Sequence, residues 1–214
     1  MAVLRDEDRE KVRKLLQGVV HPVKLVVFTQ EFECEYCAIT RELAEEVASL
    51  SDKVSAEVYD FLRDAKVVQQ YGVDKIPAIV LLGERDYGIR FYGVPAGYEF
   101  MTLLEDILDV GRRDHGLPGD LVAQLARVDR PVHMQVMVSP TCPYCPRAVR
   151  TAHRFAMASG FIRADMVEVS EFPQIAVKYN VQGVPNTIIN EKESIVGAQP
   201  ERAVAQAVLR AIGK

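Results

Sequence analysis

The sequence contains no tryptophan, only four cysteines and no long uninterrupted apolar stretch. A membrane-spanning helix needs roughly 18 to 20 consecutive apolar residues, so we expect no segment that crosses a membrane. The formal net charge is only −4 and both signs are interspersed, which gives no electrostatic reason to expect nucleic acid or an anionic membrane as a partner. Because the N-terminal stretch MAVLRDEDREKVRKLL is too charged for a secretory signal peptide, we expect a cytoplasmic protein.

All four cysteines fall in two Cys-x-x-Cys pairs, Cys34–Cys37 and Cys142–Cys145, so none is left for a structural disulfide elsewhere. In a cytoplasmic protein such pairs are typical of redox or metal sites. A strand-like apolar run and a short turn precede each pair, and a segment with helical spacing follows it. A helix N-terminus stabilises a thiolate, which is the attacking species in disulfide exchange. The pattern therefore predicts two reactive dithiols.

The two halves of the chain repeat each other at a constant offset of 108 positions. Five pairs of identical residues share this offset: Cys34 and Cys142, Tyr36 and Tyr144, Tyr71 and Tyr179, Val73 and Val181, and Pro77 and Pro185. We interpret the repeat as an internal duplication. The 49% apolar content can fill two cores of about 100 residues each. We predict two domains, 1–116 and 117–214, and expect each to fold when separated.

Each half has the same predicted order of elements, β-α-β-α-β-β-α, in which parallel crossovers are combined with a terminal hairpin. This order predicts an α/β three-layer sandwich. The helices that carry the cysteines are predicted to begin at Cys34 and Cys142, and Asp120 is the predicted N-cap of a connecting helix over 121–128.

In each half an apolar-proline step follows the first cysteine by 43 residues, as Ile76-Pro77 and Val184-Pro185. Together with the strand and the Cys-x-x-Cys helix start, this arrangement resembles the thioredoxin and glutaredoxin fold. The Cys-Pro-Tyr-Cys motif of the second half is similar to that of glutaredoxins. Two such units in one short chain resemble the protein disulfide oxidoreductases of hyperthermophilic archaea and bacteria, so we expect two tandem thioredoxin-like domains.

The resemblance implies that both cysteine pairs carry out thiol–disulfide exchange on protein substrates. Cys34 or Cys142 would attack as the nucleophile, and Cys37 or Cys145 would resolve the mixed disulfide. Depending on direction, this reduces, forms or isomerises protein disulfides, and it needs no bound cofactor or metal. A flavoprotein reductase resembling thioredoxin reductase is the implied partner, and a homodimer is a candidate assembly.

The resemblance also implies a substrate groove at each apolar-proline step. Ile76-Pro77 and Val184-Pro185 would be cis peptide bonds that face the sulfurs, and the main chain of the residue before each proline would hydrogen-bond an extended peptide. Ordinary strand-edge prolines are the alternative interpretation, but their equal spacing from the cysteines favours the functional one.

The sequence departs from the thioredoxin pattern in two places. The aromatic that precedes the first cysteine in thioredoxins is absent, because Glu33 and Thr141 stand there. The buried aspartate six residues before that cysteine is replaced by Phe28 and Val136. The proton-transfer acid of thioredoxins therefore has no direct counterpart.

Several other residues have a functional and a structural interpretation. Asp60 and Glu168, each 26 residues after the first cysteine of its half, are candidate substitutes for the missing acid or solvated strand ends. Tyr36 and Tyr144 are either partner contacts or helix-start aromatics. The histidines match no motif spacing and are expected to be incidental: His21, His115, His133 and His153.

Two other classes of function stay open. A tandem-thioredoxin electron relay serving a peroxiredoxin would use the same fold, although such a relay usually has one active pair and this chain has two. A zinc-binding or scaffold protein would use the same cysteine spacing. Structural zinc needs the two pairs to converge, however, and each pair here heads its own domain.

Between the cysteines, the two pairs differ only at the first position, which is Glu35 in one and Pro143 in the other. The charge of Glu35 repels a neighbouring thiolate, whereas its interaction with the helix dipole acts in both redox states. A less stable thiolate means a lower reduction potential. We therefore predict that Cys142–Cys145 is the more oxidising pair.

Overall fold

The computed structural model describes residues 3–214, in which one α/β unit is repeated. The first unit contains α1 (Asp6–Leu16), β1 (Val23–Thr29), α2 (Cys37–Ser49), β2 (Val54–Asp60), α3 (Ala65–Tyr71), β3 (Ala78–Leu82), β4 (Asp86–Tyr92) and α4 (Tyr98–Arg112). The second contains α5 (Gly119–Leu125), β5 (Val132–Val138), α6 (Cys145–Ala158), β6 (Ile162–Glu168), α7 (Pro173–Lys178), β7 (Asn186–Ile189), β8 (Glu193–Val196) and α8 (Glu201–Ala211). After α1 and after α5, the predicted order β-α-β-α-β-β-α is confirmed in each unit.

The strands of the described residues form one eight-stranded sheet in the order β2-β1-β3-β4-β6-β5-β7-β8. The two units join where β4 and β6 pair in parallel, with Ile89–Tyr92 opposite Ala164–Val167. Because this pairing continues the hydrogen-bonded ladder from one unit to the other, the units form a single sheet with helices on its faces.

The hydrophobic core is divided by the two faces of the sheet and not by the two units. One buried cluster contains both Phe91 of the first unit and Phe155 of the second. The cluster on the other face contains both Phe28 and Met137. The prediction of two separate cores is therefore wrong, because the joined strands make each face continuous. The boundary between residues 116 and 117 stays a prediction, which circular dichroism of the separated halves would test.

Both cysteine pairs open at the same edge of the sheet. β1, β4, β6 and β5 run in the same direction, so their carboxyl ends share one edge, and the pairs follow β1 and β5. Four strand spacings of about 4.8 Å separate β1 from β5 in the sheet order. The two pairs are therefore on the order of 20 Å apart.

The helices that carry the cysteines begin at the second cysteine of each pair, whereas the sequence predicted a start at the first. α2 begins at Cys37 and α6 at Cys145, with Tyr36 and Tyr144 at the N-cap positions. The first cysteine of each pair therefore lies in the turn before the helix. In the second pair the sulfur of this cysteine accepts a hydrogen bond from the N–H of Cys145, the first residue of the helix.

α5 also differs from the prediction. It begins at Gly119, with Pro118 at the N-cap, and the Asp120 side chain does not cap it. Proline suits this position, because its fixed φ and missing N–H cost nothing at a helix start. Asp120 instead forms an ion pair with Arg202 at 2.6 Å, which ties α5 to the start of α8. No helix within residues 3–214 is long and apolar enough to span a membrane.

Candidate active sites

Each cysteine pair forms a disulfide in the turn between a strand end and a helix start. The Cα–Cα distance is 5.4 Å for Cys34–Cys37 and 5.5 Å for Cys142–Cys145. In each pair the first cysteine is the more accessible one. Cys34 is half-buried whereas Cys37 is 2% exposed, and Cys142 is 8% exposed whereas Cys145 is fully buried. A substrate sulfur therefore reaches the first cysteine more easily, which supports the predicted nucleophiles.

The helix start stabilises negative charge on the first cysteine of the second pair. The N–H of Cys145 donates a hydrogen bond to the Sγ of Cys142 at 3.1 Å. The N–H of Cys142 donates to the carbonyl oxygen of Ser139 at 3.2 Å, which closes the turn before the helix. When the disulfide opens, the N–H at the helix start and the helix dipole favour the thiolate of Cys142.

The apolar-proline steps lie beside the cysteines. Both Ile76–Pro77 and Val184–Pro185 are cis peptide bonds, as the resemblance implied. β3 and β7 start directly after the prolines and run antiparallel to β1 and β5, so the prolines lie at the edge where the cysteine pairs open. In each unit a glycine after the hairpin donates its N–H to the proline carbonyl oxygen, at 3.0 Å in the first unit and 2.8 Å in the second. The role of these steps in substrate binding stays a prediction.

The motif tyrosines are exposed at the helix starts. Tyr36 is 38% exposed and Tyr144 71% exposed. Phe32, which sequence reasoning passed over, is 77% exposed in the turn before Cys34. An exposed apolar ring beside a reactive sulfur is suited to contact a partner protein. The contact role of the two tyrosines stays a prediction for solution experiments.

Asp60 and Glu168 act as acceptors for the turns that follow their strands. Asp60 accepts two backbone N–H groups after β2, and Glu168 accepts two after β6. These hydrogen bonds give a structural reason for an acidic residue at each of the two positions. Asp60 also lines a cavity of about 610 Å³ together with Cys34 and Cys37, which keeps it near the first site. Proton transfer by either acid is still a prediction.

Glu99 is a buried acid that sequence reasoning missed. Its exposure is 1%, and both of its carboxylate oxygens are buried without a hydrogen-bond partner among residues 3–214. The pKa of Glu99 is raised to about 7, mainly by burial and also by the charge of Asp106, while Thr102 acts in the opposite direction. A sequence signal existed, because Glu99, Leu103 and Asp106 follow helical spacing on the buried side of α4.

The position of Glu99 relative to the second unit follows from the relative direction of α4 and α6. The N–H of Tyr98 at the start of α4 donates to the Pro140 carbonyl oxygen just before α6, and Asp109 near the end of α4 binds Arg154 near the end of α6. The two helices are therefore parallel. Glu99, in the first turn of α4, lies level with the first turn of α6, where Cys145 stands. The first unit thus places a buried carboxyl group level with the helical turn that begins at Cys145.

Two histidines join elements that are distant in sequence. The Nδ1 of fully buried His153 on α6 lies 2.6 Å from the carboxylate of Asp106 on α4, which also binds Arg150. His133 on β5 lies 2.6 Å from the fully buried Asp165 on β6. The expectation that the histidines are incidental is therefore wrong for these two, since each partners a buried carboxylate.

The two cysteine pairs cannot share one metal ion. A zinc ion binds all four of its sulfur ligands at about 2.3 Å, whereas the pairs lie on the order of 20 Å apart along the sheet edge. Within the part of the chain that the structure describes, no group of three or more histidine, cysteine or acidic side chains is arranged to hold a metal ion. The geometry therefore favours two separate redox sites.

The chain is similar to known proteins with thioredoxin domains. The family model of the thioredoxin domain matches residues 23–105 and 132–210. A protein disulfide oxidoreductase from Aeropyrum pernix K1 is 30% identical, with a TM-score of 0.92 over 100% of this chain and 97% of that one. The AhpF component of the Escherichia coli alkyl hydroperoxide reductase is 25% identical over 86% of this chain, and an NADH dehydrogenase of Bacillus subtilis is 26% identical over 69%. The chain spans only 33% and 27% of these two relatives.

Proposed function

Because this chain belongs to the thioredoxin-domain family, we propose that it is a protein thiol–disulfide oxidoreductase with two dithiol/disulfide sites. One repeated observation carries the proposal. In each unit a disulfide at a helix start lies at the same sheet edge as a cis apolar-proline step. The first arrangement supplies a stabilised thiolate, and the second supplies main chain for an extended substrate.

The reaction at the second site proceeds in two exchange steps. The thiolate of Cys142 attacks one sulfur of a substrate disulfide, whose S–S bond breaks as the other substrate sulfur leaves with the electron pair and takes up a proton. Cys145 then attacks the Sγ of Cys142, which releases the second substrate thiol and re-forms the Cys142–Cys145 disulfide. Two electrons pass to the substrate, and the reverse sequence forms a substrate disulfide. Cys34 and Cys37 do the same at the first site.

Glu99 is the proton acceptor that this proposal assigns to the second site. Cys145 is fully buried and must lose its thiol proton before it can attack, so a base within the core is needed. A carboxyl group whose pKa is about 7 suits that transfer near neutral pH. Glu99→Gln should slow resolution of the mixed disulfide when only the second pair is present. An equal slowing when only the first pair is present would remove Glu99 from the mechanism.

Protein substrates bind at the cis steps in extended form. The main chain of Ile76 and of Val184 hydrogen-bonds the substrate strand, with Tyr36 or Tyr144 in contact beside it. The electron-exchange partner is a flavoprotein reductase resembling thioredoxin reductase. The cytoplasm is the proposed compartment, because all four cysteines serve exchange sites. A homodimer stays a prediction to which no surface is assigned.

A second candidate function is electron relay to a peroxiredoxin. The similarity to the AhpF component of alkyl hydroperoxide reductase over 86% of this chain favours it. Two intact cysteine pairs favour the general oxidoreductase instead, because a relay uses one. Hydroperoxide consumption in the presence of a peroxiredoxin and a reductase separates the two functions, since only the relay supports it.

Insulin reduction by dithiothreitol tests the main proposal. The native protein should accelerate precipitation of the insulin chains, and the quadruple variant with serine at Cys34, Cys37, Cys142 and Cys145 should not. Variants with serine in only one pair should each keep part of the activity. Metal analysis of the reduced protein is the companion measurement, and stoichiometric zinc without acceleration would support a scaffold role instead.

A further inference from the structure

The turn between β6 and α7 of the second unit contacts the first unit through Glu171. Its carboxylate accepts a hydrogen bond from the backbone N–H of Val94 at 2.7 Å. The approach is close at the preceding residue too, since a Cβ placed on Gly93 would lie 2.9 Å from the same Glu171 oxygen. It would also lie 2.8 Å from the Cβ of Glu168. Only glycine fits at position 93 against this turn.

The backbone that Glu171 holds belongs to the first redox site. The N–H of Gly93 donates to the carbonyl oxygen of Pro77 at 3.0 Å, and Pro77 is the cis proline beside Cys34–Cys37. Glu171, Val94, Gly93 and Pro77 therefore form an unbroken sequence of contacts.

Burial of the Glu171 carboxylate has an electrostatic cost. One of its carboxylate oxygens is buried and has no hydrogen-bond partner among the described residues. The pKa of Glu171 is raised to about 7, mainly by burial and also by the charges of Glu168 and Glu35, although the bond from Val94 lowers it. Glu35 lies between the two cysteines of the first pair.

The second site has no equivalent contact among residues 3–214. Gly197 occupies the position of Gly93, and its N–H likewise donates to the proline carbonyl oxygen. The nearest neighbour of a Cβ built there is the side-chain nitrogen of Gln199 at 3.6 Å, from the same loop. The first unit therefore does not reach this loop as the second unit reaches Gly93. The asymmetry follows from the sheet order, in which β6 lies next to β4 whereas β8 is an edge strand.

We propose that Glu171 is a positioning residue of the first redox site, contributed by the second unit. It acts through Val94 and Gly93 to hold the cis-proline segment against which a substrate peptide binds beside Cys34–Cys37. The first site is therefore complete only when both units are joined. The expected change in KM rests on the proposed function, whereas the hydrogen bond from Val94 can be measured whether or not the protein exchanges disulfides.

The test compares substitutions at Glu171 in a protein that keeps only the first pair, made by Cys142→Ser/Cys145→Ser. Glu171→Gln keeps an oxygen acceptor of the same reach, whereas Glu171→Asp keeps the charge but is too short to reach Val94. With a peptide disulfide as substrate, Glu171→Asp and Glu171→Ala should raise KM roughly tenfold and change kcat less than about twofold. Glu171→Gln should stay near the parent value.

Two controls make the result specific. The same substitutions in Cys34→Ser/Cys37→Ser, where only the second pair works, should leave KM unchanged. Glu191→Ala, a change of another loop acid of the second unit, should leave KM unchanged at both sites. An equal rise in KM at both sites, a rise as large for Glu171→Gln as for Glu171→Asp, or no rise at all overturns the proposal.

Amide hydrogen exchange separates this proposal from the proposed function. The Val94 amide should exchange faster in Glu171→Asp than in Glu171→Gln, whether or not the protein turns over disulfides. If neither site reduces the peptide but the Val94 amide responds as expected, the proposed function fails and the contact stands. Equal exchange in the two variants rejects the contact itself. Because this comparison uses only the two conservative variants, it holds even if Glu171→Ala does not fold.

Discussion

The backbone N–H of Tyr98 donates a hydrogen bond of 3.2 Å to the carbonyl oxygen of Pro140, two residues before Cys142. Tyr98 begins the last helix of the first unit, whereas Pro140 lies in the turn between β5 and α6 of the second unit, which carries Cys142. The turn that presents Cys142 is therefore fixed in part by the other unit. Glu171 makes the reciprocal contact, so each redox site rests on backbone or side chains from both units.

Gly97 is the residue that allows this contact, and its substitution should disturb the second site. Its backbone has φ 58 and ψ −125, and a Cβ there would lie only 2.1 Å from the Pro140 oxygen. Gly97→Ala should lower the free energy of unfolding by about 3 kcal/mol, because left-handed strain and a backbone clash add together. Urea unfolding measures the loss, and insulin reduction by a variant with only the second pair measures the damage to the site.

Gly116→Ala is the matched control for Gly97→Ala. Gly116 also has a positive φ of 63, but a Cβ there would meet nothing within 4 Å. Its substitution should cost about 1 kcal/mol, through strain alone, and should leave the activity of both pairs intact. Equal losses at the two glycines would mean that the close approach to Pro140 does not matter.

Glu99 should make the stability of the protein depend on pH in a defined direction. Its pKa is about 7 in the folded protein against an ordinary value of 4.5, so between these values the folded state binds the extra proton. Stability from this group is therefore fully present below about pH 4.5 and is lost as the pH rises to about 7. Over this interval the native protein should lose up to about 3 kcal/mol relative to Glu99→Gln. Urea unfolding of both proteins at pH 4, 6 and 8 measures it, and parallel profiles would contradict the assignment.

The first cysteine of each pair should react faster with an alkylating reagent than the second. Cys34 and Cys142 are more exposed than Cys37 and Cys145, and each precedes a helix start that favours its thiolate. In the reduced protein at neutral pH we expect a rate ratio of about tenfold or more. Brief iodoacetamide treatment followed by peptide mapping measures the ratio. Preferential labelling of the second cysteines would rule out the assigned roles.

Cys142–Cys145 should be more oxidising than Cys34–Cys37 by tens of millivolts. The charge of Glu35 is the main cause that raises the pKa of Tyr36, so its field is felt at the first site and there opposes a thiolate. A shift of about 30 mV corresponds to about 1.4 kcal/mol for this two-electron couple. Equilibration of the two single-pair variants with glutathione gives each potential.

Glu35→Pro is the direct test of that cause. It gives the first pair the sequence of the second and should raise its reduction potential toward that of Cys142–Cys145. The same substitution leaves the second pair untouched, so that pair serves as the internal reference. An unchanged potential in Glu35→Pro, or equal potentials before substitution, would show that Glu35 is not the controlling difference.

Much of each unit could be predicted from the sequence because the signals were local. The cysteine pairs, their spacing from Ile76-Pro77 and Val184-Pro185 and the order of elements follow from short patterns that repeat along the chain. The positions of the cis bonds followed from a family resemblance tied to those same patterns. The helix starts were misplaced by three residues, because the sequence pattern does not separate the turn that carries the first cysteine from the first turn of the helix.

The partners of a strand or of a buried charge depend on tertiary structure. The sequence predicts β4 and β6 as strands, but it does not say which strand lies beside each of them. Because β4 and β6 pair, the two units share one sheet and the two expected cores are joined. The same pairing sets both disulfides on one edge of the sheet. Glu171 gained its partner from that pairing, because its carboxylate accepts the N–H of Val94 in the other unit. α4, which carries Glu99, is held to the second unit by the bond from Tyr98 to Pro140. The sequence alone therefore determined the chemistry of each redox pair, and only the packing between units decided which groups of the other unit lie near it, Glu171 at the first pair and the backbone of Tyr98 at the second.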